Sequence, residues 1–91
     1  MDFPKNYIEP NILRLAILEM IRMKGNSSFC PSEVVRWIYP NAWEYFMEEV
    51  RTEMMQLYRL GKISVTHNGK PLDLGKKPEG SVRISGIRET L

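Results

Sequence analysis

Leu57-Tyr58-Arg59-Leu60-Gly61-Lys62-Ile63-Ser64-Val65-Thr66-His67-Asn68-Gly69 changes periodicity in its middle. Up to Leu60 the apolar residues recur at helical spacing, and Gly61 supplies the left-handed conformation that commonly closes a helix. From Ile63 to His67 they alternate as in a half-buried strand, and Asn68-Gly69 is the strongest two-residue hairpin signal. A long helix therefore runs straight into a β-hairpin.

Working back from that hinge, the third helix is expected over about Ala42 to Leu60, with Asn41 and Glu44 as cap and capping partner. Trp43, Phe46, Met47, Val50, Met54, Leu57 and Tyr58 form its continuous apolar face. The outer arc takes Glu44, Tyr45, Glu48, Glu49, Glu53, Met55, Arg51 and Arg59. A second helix starts at Cys30-Pro31-Ser32-Glu33, with proline at its first position and glutamate at its third. Val34, Val35 and Ile38 are its buried stripe, and Tyr39-Pro40-Asn41 ends it. A first helix runs from about Asn11 to Lys24 and stops at Gly25-Asn26. Ile12, Leu13, Ala16, Ile17, Met20, Ile21 and Met23 fill one half of its wheel. Leu15 and Leu18 sit among the charges of the other half and need cover. The lead-in residues Phe3, Tyr7 and Ile8 are the nearest source, and a second subunit is the alternative.

Beyond the hinge, Ser81-Val82-Arg83-Ile84 is the better return strand, because Pro71 weakens Lys70 to Leu74 as a pairing segment. Ser27-Ser28-Phe29 has the makings of a short strand. Three helices followed by a small antiparallel β-hairpin define a mainly α winged helix-turn-helix. Residues 1–10 form an extended lead-in, 11–86 the domain and 87–91 a frayed tail.

From Cys30-Pro31-Ser32-Glu33-Val34 onward the chain also resembles a group of small bacterial proteins classed only as a domain of unknown function. The matching residues continue through Trp43, Met47, Val50-Arg51, Gly61-Lys62-Ile63, Thr66, Gly69, Pro71, Asp73, Gly80, Arg83 and Ile84. Gly80-Ser81 departs from the pattern, where a further proline is usual. The resemblance implies the winged-helix fold and brings no reaction, cofactor or ligand.

The composition confines the function further. The 91 residues suffice for one domain, and a net charge of +2 is too small to imply a polyanionic partner by itself. Its distribution is uneven. Residues 1–60 carry seven Lys/Arg against eight Asp/Glu, and residues 61–91 carry six against three. The single cysteine, Cys30, excludes an internal disulfide and a thiolate metal cluster, which fits a reducing cytoplasm. No secretion signal is evident at the N-terminus, and Ile12 to Met23 is too short and too charged to span a bilayer.

No residue pattern points to catalysis, a metal or a cofactor. His67 is the only histidine and lacks spaced carboxylate partners. Cys30 at a helix N-terminus has the setting that lowers a thiol pKa, but no histidine is placed as its base, so a packed helix-start residue is the simpler role. Trp37 and Trp43 flank the turn between the second and third helices as packing residues. The glutamates of the third helix lie on an open face rather than in a cleft.

Two function classes remain. The basic residues Lys62, Lys70, Lys76, Lys77 and Arg83, with Arg51 and Arg59 assisting, suit DNA or RNA phosphates, with little sequence preference. The acids of the third helix would repel phosphates where a recognition helix enters a groove. A protein contact is the alternative, made by Glu44, Tyr45, Glu48, Glu49 and Met55 against a basic partner, or by Leu15 and Leu18 in a dimer.

Overall fold

A computed structural model describes residues 9–75 and 80–87. Helices α1 (Glu9–Lys24), α2 (Pro31–Ile38) and α3 (Met47–Arg59) precede strands β1 (Ser64–His67), β2 (Lys70–Pro71) and β3 (Val82–Ser85). The strands form one antiparallel sheet in the order β2-β1-β3. The fold is mainly α with a β wing, a winged-helix-like arrangement. The lead-in residues Phe3, Tyr7 and Ile8, the lysines Lys76 and Lys77, and the tail 88–91 lie outside the described residues.

Each element ends where local chemistry ends it. Gly25 and Gly61 close α1 and α3 at φ +63° and +74°, and Gly61 N–H donates to Tyr58 O at 3.0 Å. Asn68 and Gly69 take φ 53° and 78°, both positive, as a tight hairpin turn between β1 and β2 demands. Helix α1 begins at Glu9, earlier than Asn11, because a proline in the first turn has no hydrogen bond to lose.

The core is one cluster. Leu13, Ala16, Ile17 and Met20 of α1 meet Val34 and Val35 of α2, Val50, Met54 and Leu57 of α3, and Ile63, Val65, Val82 and Ile84 of the wing. Phe29, fully buried, ties the wing to this body. Its N–H donates to Ile84 O at 3.0 Å, and its carbonyl accepts from Ile84 N–H at 2.7 Å. The expected short strand at Ser27–Phe29 is thus a single bridge to β3.

Several expectations are corrected. The third helix starts as a 3-10 turn, Trp43–Phe46, with Ala42 at its cap, so Asn41 does not cap it. Tyr39 stacks on Phe46, centroids 4.0 Å apart, and Arg36 lies 4.2 Å over the Trp43 ring. These contacts draw Trp43 and Phe46 toward α2. Lys70 and Pro71 do pair with β1, opposite His67 and Thr66. Pro71 is tolerated because the ladder bonds fall on its neighbours: Leu72 N–H donates to Val65 O at 3.0 Å, so a proline nitrogen faces the open edge. Ile12 and Met23 are exposed, because both lie on one edge of the stripe that Leu13, Ala16, Ile17 and Met20 bury.

The larger corrections concern α3. Glu53 is 6% exposed and Met55 3%, although helical phase puts both outward. Arg14 of α1 reaches Glu53 Oε1 with Nε at 3.0 Å and also donates to Gln56 Oε1, so α1 covers Glu53 and neutralises it. On the other flank the Tyr58 hydroxyl donates to Leu72 O at 2.6 Å. The start of the segment after β2 is therefore tied to α3 at Tyr58, and Met55 joins the core.

Candidate nucleic-acid interface

With those flanks closed, one stripe of α3 remains open to solvent: Glu48, Glu49, Thr52, Gln56, Arg59 and the following Leu60. Both acids occupy the first turn, where they complement the positive end of the helix dipole, and Arg59 occupies the last. Lys62 is exposed in the short link to β1, and Lys70 is exposed at the hairpin. Among the described residues, Arg59, Lys62 and Lys70 form no ion pair. The structure thus sets a run of free cations from the C-terminal end of α3 into the wing.

Two other expected cations, Arg83 and Arg51, are less available. Arg83 of β3 donates from Nε to Ser28 Oγ at 3.1 Å and from Nη2 to Ser28 O at 2.9 Å. It therefore clamps the wing to the segment before α2, alongside the Phe29 bridge. Arg51 is half-buried on the covered flank of α3, its Nε enclosed and without a hydrogen-bond partner among the described residues.

On the acidic side, Glu44 and Tyr45 are exposed in the 3-10 turn, and Tyr45, at 85%, is the most exposed of the large hydrophobic residues described. Leu15 is exposed on α1, whereas Leu18 is half-buried against the core. Met55 drops out as a contact residue. Thr52 and Gln56 were missed by charge and hydropathy, and the four-residue spacing of Glu48, Thr52 and Gln56 is the signal that locates them.

The family model for a protein of unknown function, DUF3253, matches residues 10–86, from the start of α1 to just past β3. The chain belongs to this family. No curated protein matches it.

The DUF3253 domain offers little to chemistry beyond charge. Among its described residues no three His, Cys, Asp or Glu side chains gather as a metal site, and no helix is long and apolar enough to cross a membrane. An open groove lies between the end of α1 and the end of β3, lined by Ile21, Asn26, Ser28, Ser85 and Ile87. None of these side chains titrates. A Cβ at Gly86 would stand 3.0 Å from Ile21 Cγ2, so a side chain there would require Ile21 to shift. His67 is half-buried beside the hairpin, its Nδ1 2.9 Å from Ser81 O, so it links β1 to the start of β3 rather than facing solvent freely.

Cys30 caps α2. Its N–H donates to Glu33 Oε2 at 2.9 Å while its carbonyl accepts from Glu33 N–H at 3.0 Å, and its Sγ lies 3.0 Å from Ser32 Oγ. The Cys30→Ser variant is expected to keep its stability within about 0.5 kcal/mol, because serine caps at least as well. Urea unfolding measures this, and a loss above about 1 kcal/mol would show that the thiol is needed as a thiol.

Glu33 is the other half of this cap. The hydrogen bond from Cys30 N–H, and next the Lys24 ammonium 3.4 Å away, hold its carboxyl below the usual glutamate range. A depressed folded-state pKa contributes stability that is present above the unfolded value, about 4.3. That contribution is lost as pH falls through the folded value. Glu33→Gln keeps an acceptor for the cap and loses the charge. It is expected to cost less than about 1 kcal/mol at neutral pH, since the carboxylate is partly exposed, and to cost nothing in acid. Thermal melts at pH 7 and pH 3 compare the two proteins, and an equal deficit at both would exclude the charge as the cause.

Proposed function

We propose that this DUF3253 domain binds nucleic acid through its wing, by phosphate contacts rather than by base readout from α3. The observation that carries this is the run of exposed cations Arg59, Lys62 and Lys70, which form no ion pair among the described residues, on a winged-helix-like frame. Lys76 and Lys77 add two charges in the sequence between β2 and β3. The first turn of α3 presents Glu48 and Glu49, so deep entry of that end into a groove is opposed by repulsion from phosphates. The expected mode is wing-led, with modest affinity, little sequence preference and a steep loss with salt.

Titrating isotopically labelled protein with a generic DNA duplex tests this. Backbone amide shifts concentrated between Arg59 and Arg83 that fade with added salt support the proposal. The absence of shifts at low salt sinks it.

A further inference from the structure

The open stripe of α3 has a second property. Its charges are sorted by end: Glu48 and Glu49 at the start, uncharged Thr52 and Gln56 in the middle, Arg59 and then Lys62 at the finish. Glu49 and Arg59 are ten residues apart, about 15 Å along the helix, so they cannot satisfy each other within one molecule. Helix-dipole preference accounts for the two signs. It does not account for the exposed apolar residues beside them, Tyr45 at 85% just before the acids and Leu60 at 61% just after Arg59.

We infer that this stripe is the contact surface for a second copy of the same chain, packed antiparallel across a two-fold axis beside the middle of α3. Such an axis sets Thr52 against the second copy's Gln56 and Glu49 against its Arg59. It brings the Glu44, Tyr45 and Glu48 end toward the copy's Leu60 and Lys62. Every feature then occurs twice, as an isologous contact requires. Each end combines an ion pair with an aromatic-on-aliphatic contact, while Arg14 holds Gln56 from beneath in both copies. A parallel arrangement would oppose like charges at both ends, so the pattern selects one orientation. The contact is small and largely polar, so association belongs in the range of about 0.1–1 mM, weakened by salt. Arg59 and Lys62 belong to both surfaces, so self-association and nucleic-acid binding through them compete, while Lys70 at the hairpin lies away from α3.

Sedimentation of the full chain without nucleic acid, at low and at moderate salt, tests the inference. The wild-type chain is expected to dimerise at low salt. Glu49→Arg and Arg59→Glu, each acting twice in the dimer, should separately weaken it by about tenfold or more. An equimolar mixture of the two variants should form a heterodimer, and the double variant Glu49→Arg/Arg59→Glu should recover self-association. Circular dichroism of each variant separates lost contact from lost folding. A wild-type chain that stays monomeric to its solubility limit overturns the inference, as do folded swap variants that dimerise unchanged or do not pair with each other.

Discussion

Phe29→Ala is expected to lower the unfolding free energy of this domain by about 3–5 kcal/mol, the range for deleting a fully buried aromatic ring. Domains of this size hold roughly 5–10 kcal/mol in total, so about half of the stability would go. Phe29 is 0% exposed and is the largest of the fully buried side chains. Its location makes the loss specific. The backbone of Phe29 exchanges two hydrogen bonds with Ile84, and Arg83 clamps Ser28 next door. The ring thus sits under the joint between the helical body and β3. A cavity there weakens the seating of the wing as well as the core, so amide exchange of Val82 and Ile84 should rise more than that of Ile17 in α1. Urea unfolding gives the total. A deficit below about 1 kcal/mol would mean that the body and the wing do not share this residue, and Phe29→Leu should cost less than half as much as Phe29→Ala.

What the sequence made legible in this fold was local chemistry. Gly61, Asn68 and Gly69 each need a positive φ, and each has one, so the helix end and the hairpin turn could be placed without knowledge of anything distant. Glu33 reaches only three residues back to Cys30, and that cap was likewise readable. The errors came where distant segments meet. Helical phase alone places Glu53 and Met55 outward, but Arg14, 39 residues away, covers the first, and the second packs into the core that the helices and the wing share. Arg83 looked like a free cation because its partner Ser28 lies 55 positions upstream. Pro71 looked unfit for pairing because hydrogen-bond register, not composition, decides which nitrogens a hairpin needs. The candidate site shows the same division. Its charges were countable from the sequence, and which of them stay free was set by tertiary contacts.

That difference decides which substitutions best test the wing. Lys62 and Lys70 are exposed and form no ion pair among the described residues, so changing them to glutamate disturbs none of the contacts there. The Lys62→Glu/Lys70→Glu variant is expected to keep wild-type stability within about 0.5 kcal/mol. Its affinity for a generic duplex at low salt should fall by about 100-fold. Each phosphate contact releases close to one counterion, worth about tenfold near 50 mM salt, and two contacts are lost. The same loss should appear as a flatter salt dependence, with the slope of log K against log salt reduced by about 2. Lys76→Glu/Lys77→Glu should add a further drop of similar size if the chain between β2 and β3 also lies on phosphate. Glu48→Lys/Glu49→Lys works in the opposite direction. It removes the repulsion at the first turn of α3, so DNA affinity should hold or rise while helix stability falls slightly through the dipole. Fluorescence anisotropy across a salt series measures all three variants. Equal affinity for the wild-type chain and Lys62→Glu/Lys70→Glu would remove the wing from the interface, because a phosphate contact through these lysines cannot survive reversal of both charges.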